Sequence, residues 1–197
     1  MGRVRKVSKA SLPVLVGLVM VLTTSLACEA EAESAELADM VMTLLDDLVL
    51  LGKLRGEINE MYMDCEKRIV SNATVKSKAP VWEARLEDFL DELSSLRDTA
   101  NAKARASLDN REQQAWRAAA WCATSLGQVT FNLRFAISYM DLMTLYARAT
   151  STRTWEWQSA SDQCCMYLDL AMVRLETSAM VCNMMLVEIP QPARIEP

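Results

Sequence analysis

The sequence has 197 residues, of which 51% are hydrophobic, and only five glycines and five prolines. This length suits one domain with a substantial core, and the shortage of turn-forming residues argues against a many-stranded β fold. The formal net charge of −5 disfavours nucleic acid and anionic lipid surfaces as partners, because both are bound through basic patches.

The first 27 residues have the pattern of a secretory signal peptide. Four basic residues between positions 3 and 9 precede an apolar run from Val14 to Leu22, and Ser25-Leu26-Ala27 is an acceptable cleavage signal. The apolar run is short for a transmembrane helix, which needs about 20 residues. We expect residues 1–27 to be removed and the product to be secreted. The alternatives are an uncleaved signal-anchor and a lipoprotein acylated on Cys28.

Removal of the leader makes the chain more acidic. Because the leader holds four basic residues and no acidic ones, the mature chain keeps 17 basic against 26 acidic residues, a net charge of −9. Residues 191–197 are polar and proline-rich and are predicted to form a disordered tail without the hydrophobic segment of a lipid-anchor signal. We therefore expect no nucleic-acid partner and no membrane contact after processing.

A seven-residue apolar repeat predicts a first helix over about 33–70. One set of positions repeats from Leu37 to Cys65 and the other from Val41 to Ile69, and only Arg55 interrupts them. Gly52 and Gly56 lie in the middle of this helix, where they either permit a close helix crossing or loosen the segment.

Three further apolar stripes predict helices at about 80–106, 110–149 and 159–189. The polar stretch from Ser71 to Pro80 is predicted to be a loop, with Pro80 in the first turn of the second helix. Ser159 and Asp162 resemble a capping box at the start of the fourth helix, which Pro190 ends.

The junction between the second and third helices contains neither Gly nor Pro, so one long helix is the competing interpretation. The apolar phase breaks between Ala104 and Ala115, however, and Asp109 with Glu112 can cap a new helix start. A turn there predicts an all-α fold, an antiparallel up-down-up-down four-helix bundle over residues 28–190.

Six cysteines in an exported chain indicate disulfides. In an antiparallel bundle Cys122 and Cys182 lie at similar heights on adjacent helices, because they are symmetric about residue 152. Cys65 is similarly level with Cys164 and Cys165. We predict a Cys122–Cys182 bridge and a bridge from Cys65 to Cys165 or Cys164. A leftover thiol, such as Cys28, would allow a disulfide-linked homodimer, whereas the alternative is that the cysteines on the apolar stripes are reduced core residues.

The residue types exclude several chemistries. The absence of histidine removes Ser-His and Cys-His nucleophile pairs and histidine-ligated metals. There is no glycine-rich phosphate loop and no Cys-x-x-Cys spacing. We therefore predict no catalytic residues, no metal and no cofactor.

Two surface features remain. Asn72-Ala73-Thr74 is a glycosylation sequon in the first predicted loop. Trp155 and Trp157 cannot both face one helix seam, so one of them, beside Arg148 and Arg153, is the candidate binding patch. The alternative is that both tryptophans pack over the end of the bundle.

The function that these observations favour is a secreted, disulfide-stabilised protein–protein interaction module without catalysis, which binds a protein ligand or receptor. This interpretation rests on export, acidity and a rigid helical scaffold. The alternatives are a carrier of an apolar small molecule or lipid in the bundle core, and an anchored surface protein.

Overall fold

In the computed structural model, the described residues 32–67, 71–149 and 154–188 form four long helices. These are α1 (Ala32–Glu66), α2 (Asn72–Ala106), α3 (Asn110–Ala149) and α4 (Trp155–Glu188). Side chains are described for residues 35–67, 71–147 and 154–186. The prediction of an all-α four-helix bundle is confirmed. The predicted leader, the tail at 191–197, Cys28 and Arg153 lie outside the described residues.

The heptad repeat of α1 forms one wall of the core. Leu44, Leu48, Leu51 and Ile58 are fully buried, as the repeat predicts. Arg55, which interrupts the repeat, is buried as well, and its guanidinium Nε donates to the backbone oxygen of Leu168 in α4 at 3.1 Å. The interruption in the pattern is therefore a buried polar contact between two helices.

Helix α2 begins eight residues earlier than predicted. The Ser71 hydroxyl accepts a hydrogen bond from the backbone N–H of Thr74 at 3.3 Å, and Ser71 is the N-cap. Val75 is fully buried, so the polar stretch contributes a core residue. Pro80 consequently lies inside the helix, at an exposed position. The prediction of a loop over 71–80 was wrong because the capping serine outweighed the polar composition.

The predicted turn between the second and third helices is confirmed. The side chain of Asp109 accepts from the backbone N–H of Arg111 at 3.2 Å, and its carbonyl accepts from Gln113 at 2.9 Å. Glu112 accepts from the hydroxyl of Ser107 at 2.7 Å. The two bonds to Asp109 satisfy backbone donors in the first turn of α3, and the Ser107–Glu112 bond connects that turn to the end of α2. Helix α3 runs from Asn110 to Ala149 as predicted.

Helix α4 begins at Trp155, four residues before the predicted start. The Thr154 hydroxyl accepts from the backbone N–H of Trp157 at 3.2 Å, which is an N-cap contact. Ser159 and Asp162 therefore lie inside the helix and form no capping box. The Asp162 carboxylate instead accepts from the side chain of Gln158 at 2.9 Å.

Successive helices run antiparallel. The start of α2 meets the end of α3 through Asn72 and Thr144, and the start of α3 meets the end of α2 through Gln113 and Ala104. Equivalent reversed contacts join α3 to α4 and α1 to α4. These helix directions are consistent with the predicted up-down-up-down connectivity. Helix α1 packs more closely against α3 and α4 than against α2, which is held mainly by α3.

Candidate functional site

The predicted cysteine pair lies between α3 and α4. Cys122 and Cys182 are fully buried, and the Cys182 thiol donates to the Cys122 sulfur with the two Sγ atoms 3.4 Å apart. The Cys122 thiol also donates to the backbone oxygen of Ser178 at 3.7 Å. The side chain of the same Ser178 donates a hydrogen bond to Ser125, which lies one turn after Cys122 on α3. The symmetry about the third loop therefore predicted a real neighbour relationship, although no cysteine pair in the described residues is at disulfide bonding distance.

The second predicted bridge is also not formed. The Cys164 thiol donates to the backbone oxygen of Ala136 in α3 at 3.3 Å, while Cys65 lies buried in α1. The half-buried Cys165 contacts the carboxylate of Asp169 at 4.0 Å. Among the described cysteines, therefore, neither Cys164 nor Cys165 is bonded to Cys65.

The thiols lack the environment of a nucleophile. Burial raises the pKa of Cys65 to about 11 and raises the pKa of Cys164 as well. The pKa of Cys122 is raised first by its hydrogen bond with Cys182 and then by burial. The pKa of Cys165 is raised by burial and by the charge of Asp169. A reactive cysteine needs the opposite shift, because the thiolate is the attacking form.

A polar cluster that the sequence did not indicate joins α1 to α4 near the Cys65 end. The Tyr62 hydroxyl lies 3.2 Å from the Ser161 hydroxyl, which donates a short hydrogen bond to Glu66. Burial is the largest cause of a raised pKa at Tyr62. Ser161 is almost fully buried, so a substrate has no access to its hydroxyl. We interpret the cluster as a structural tie between the helices.

One buried carboxylate lies where its ionised form is unfavourable. Asp47 of α1 is only 4% exposed, and its Oδ2 makes no hydrogen bond within the described part of the chain. Burial, followed by the charges of Glu92 and Asp46, raises the pKa of Asp47 to about 7. No sequence motif marks this residue, because an acidic side chain in a helix is normally a solvated position.

The predicted glycosylation site has a different role. Asn72 is buried in the first turn of α2, and its Nδ2 donates to Thr144 at 2.6 Å and to Asp141 at 3.1 Å. Nδ2 is the atom to which a glycan would be attached. The prediction of an accessible loop asparagine is corrected, because this nitrogen is enclosed between two helices.

The predicted tryptophan patch separates into two environments. Trp155 is 79% exposed at the first position of α4, whereas Trp157 is buried against the bundle. Trp157 is therefore removed from the candidate patch. The side chain of Arg148 and the whole of Arg153 fall outside the described residues.

The outer faces of α3 and α4 carry most of the exposed large apolar side chains. Of fifteen such residues in the described chain, five lie on α3 and six on α4. We call the outer heptad face of α3 the α3 stripe; it consists of Trp121, Thr124, Gln128, Phe131, Phe135, Ser138, Leu142 and Leu145. The hydroxyls of Thr124 and Ser138 donate to carbonyls of their own helix at 2.8 and 3.0 Å.

Aromatic rings extend this surface towards α4. The ring of Tyr167 stacks on Phe135 with centroids 5.0 Å apart and on Tyr139 with centroids 5.7 Å apart. The exposed charged residues of α3 are basic, namely Arg111, Arg117 and Arg134 in the part that the structure describes. An apolar stripe with aromatic side chains and a positive border is a suitable surface for an acidic amphipathic partner.

Other site types are not indicated. No group of three His, Cys, Asp or Glu side chains within the described ranges has an arrangement that holds a metal ion. The four described helices include none that is long and apolar enough to cross a membrane. Comparison of the chain with protein families, with characterised proteins and with solved structures finds no match.

Proposed function

We propose that this chain is a secreted, non-catalytic protein–protein interaction module that binds a helical partner along the α3 stripe. The observation that carries the proposal is the heptad spacing of the exposed apolar residues on α3. A second helix packs its own apolar side chains between residues spaced in this way. The internally bonded hydroxyls of Thr124 and Ser138 support the proposal, because a partner covers them without leaving an unpaired donor.

The partner's chemistry follows from the border of the stripe. Arg117 and Arg134 are exposed on α3, in a chain that is acidic overall. An amphipathic helix with aliphatic or aromatic residues on one face and Asp or Glu beside them complements this surface. Phe131, which is about half-exposed, is the expected central contact.

A photo-crosslinking experiment tests the proposal. A photoreactive amino acid at Gln128 is expected to capture one defined protein from the natural extracellular setting, and Phe131→Glu is expected to abolish that capture. Val81→Glu is the matched control, because Val81 is a similarly exposed apolar residue on α2. Capture that survives Phe131→Glu would contradict the proposed role of the stripe, provided that circular dichroism shows both variants folded.

We further propose that Cys122 and Cys182 become a disulfide when the chain passes through an oxidising compartment. The contact of their Sγ atoms, 3.4 Å apart, supports this, since a small side-chain rotation brings them to the bonding distance of about 2.05 Å. Forming the S–S bond releases two protons and transfers two electrons to a disulfide oxidant, which is reduced to two thiols.

The mature protein provides the test of both export and oxidation. Its intact mass is expected to correspond to cleavage after Ala27, and to rise by two hydrogen atoms per bridge on reduction. Peptide mapping without reduction is expected to recover the peptides of Cys122 and Cys182 joined. Recovery of both cysteines alkylated, without prior reduction, would refute the bridge.

A further inference from the structure

The outer face of α4 carries a second heptad stripe, separate from the α3 stripe. We call it the α4 stripe; it consists of Met166, Leu170, Val173, Thr177, Met180 and Met184. Its five apolar members are 40–67% exposed, and it lies opposite the buried residues Leu168, Leu175 and Cys182. The stripe covers 19 residues, so its first and last members are about 27 Å apart at a rise of 1.5 Å per residue. Helix α4 is thus apolar on two sides, and only one side is covered by the bundle.

The α4 stripe has the properties of a surface that can be buried. It contains no charged residue. Its one polar member, Thr177, donates its hydroxyl to the Val173 carbonyl at 2.7 Å, so covering Thr177 leaves no unpaired donor. A second helix is the partner that fits a stripe of residues spaced alternately four and three positions apart.

The surface beside Leu170 has the form of a coiled-coil hole. A shallow hollow is lined by Asp162, Cys165, Met166, Asp169, Leu170 and Val173. Four of these residues, at 166, 169, 170 and 173, have the spacing that surrounds an inserted side chain in knobs-into-holes packing. In a parallel pair of identical helices, the side chain that enters this hole is the Leu170 of the second copy.

The charges that flank the stripe select the orientation. Asp162, Asp169 and Glu176 follow one flank at seven-residue intervals, while Tyr167, Arg174 and Val181 follow the other. In a parallel pair, a residue of the first flank on one helix faces the residue numbered five higher on the second flank of the other helix. Asp169 of each copy therefore faces Arg174 of the other copy, which gives two such pairs in the symmetric dimer. In an antiparallel pair the acidic flank faces itself, and like charges repel.

We propose that two copies of this chain form a parallel, twofold-symmetric dimer through the α4 stripe, with Leu170 of each copy in the hollow of the other. The contact uses the same patch on both copies, so it closes at two subunits. It leaves the α3 stripe available. The dimer is therefore independent of the proposed function, and either proposal can fail without the other.

Sedimentation of the mature protein over a range of concentrations tests the pairing. The wild-type protein is expected to sediment as a dimer, and Val173→Lys is expected to raise the dissociation constant by about tenfold or more. Val81→Lys is the matched control, because Val81 on α2 is 59% exposed and Val173 is 58% exposed. A wild-type protein that remains monomeric, or a dimer that tolerates Val173→Lys, would overturn the proposal.

Two experiments test the orientation. Met184→Cys is expected to give a covalent dimer under mild oxidation, because position 184 faces its own copy only in the parallel pair. The wild-type protein provides the background from the native Cys28 and Cys165. A crosslink that instead requires mixing Met166→Cys with Met184→Cys would show an antiparallel pair and overturn the assignment.

The charge pair has a separate readout. Asp169→Arg is expected to weaken the dimer, and the double variant Asp169→Arg with Arg174→Asp is expected to restore it, since the attraction is then re-formed with the signs exchanged. Assemblies larger than two copies that disappear with Phe131→Lys would contradict the proposal, because they would show α4 binding to the α3 stripe of another copy.

Discussion

Asn72, at the first turn of α2, donates its side-chain amide to the Thr144 hydroxyl near the end of α3 at 2.6 Å. The second amide hydrogen bond goes to Asp141 at 3.1 Å; the bond to Thr144 is buried, and the bond to Asp141 is partly buried. This contact ties the beginning of one helix to the end of the next. The asparagine of the glycosylation sequon therefore forms hydrogen bonds that hold α2 against α3.

We expect Asn72→Ala to lower the free energy of unfolding by about 1–3 kcal/mol, because Thr144 and Asp141 lose a buried partner. Urea denaturation of the purified variant measures the change. Thr74→Ala is the control, since it removes the sequon but keeps the Asn72 side chain; its own loss is expected to be smaller, because it removes only an exposed contact with the Ser71 hydroxyl at 3.1 Å. Equal losses in the two variants would indicate that a glycan, rather than the hydrogen bonds, matters here.

Asp47 makes the stability of the bundle depend on pH. The folded state holds its carboxyl at a pKa of about 7, whereas the unfolded chain has the ordinary value of 3.8. Below the lower value both states are protonated, and the residue costs nothing. As the pH rises towards 7, the unfolded state ionises while the folded state does not, so stability falls and the loss is complete above 7.

Asp47→Asn is therefore expected to raise the free energy of unfolding at pH 8, on the order of 2–4 kcal/mol, and to change it little near pH 4. Urea midpoints at the two pH values provide the measurement. Asp88→Asn, at an exposed position on α2 whose charge is not among those that raise the Asp47 pKa, is expected to show no such pH-dependent gain. A gain from Asp47→Asn that is the same at both pH values would refute the explanation by ionisation.

Gly56 and Gly127 lie inside helices, and a Cβ added at either position meets no atom within 4 Å. The suggestion that Gly56 permits a close helix crossing is therefore wrong. We expect Gly56→Ala to stabilise the protein by about 1 kcal/mol, because alanine loses less backbone entropy in a helix than glycine.

The melting temperature and the urea midpoint of the Gly56→Ala variant check this prediction. Ala84→Gly, at an exposed position within α2, is the reverse control and is expected to cost a similar amount. A destabilised Gly56→Ala variant would show that the space beside this residue is needed by the fold.

The proposed disulfide has an energetic signature. A bridge between Cys122 and Cys182 closes a loop of roughly 60 residues, for which chain entropy gives about 4 kcal/mol. Cys182→Ala is expected to lower the unfolding free energy by an amount that is larger without reductant than with it. Cys164→Ala, which removes a buried thiol bonded only to a backbone carbonyl, is expected to have the same effect in both conditions.

The apolar periodicity was sufficient to predict the number of helices, the limits of α3 and the turn before it, because the phase of the stripe breaks where Asp109 provides a cap. Two helix starts were missed. Ser71 caps a helix whose first turns are mostly polar, and Thr154 caps one that begins four residues before the predicted start. The spacing about the third loop also predicted that Cys122 and Cys182 are neighbours.

The remaining features depend on tertiary contacts that no local pattern shows. Asp47 has the appearance of an ordinary charged helix residue, and only packing reveals that it is buried. The heptad repeat placed Arg55 on the core seam, but its bond to the Leu168 carbonyl depends on how α1 packs against α4. The outer stripes were visible as a second heptad on α3 and α4. They were missed because one apolar face per helix was sufficient to build a core, whereas these two helices carry two.

The peripheral position of α2 has a consequence for how the molecule opens. Its hydrogen bonds to α1, from Trp82 and Arg85 to Glu57 and from Lys103 to Glu36, are partly solvated. In the described part of the chain α2 contributes seven buried apolar residues to the core, whereas each of the other three helices contributes ten or more. We therefore expect the least costly local opening to be the detachment of α2 while the other three helices remain together. Proteases and quality-control factors would first meet the chain at α2, and amide exchange is expected to be fastest there.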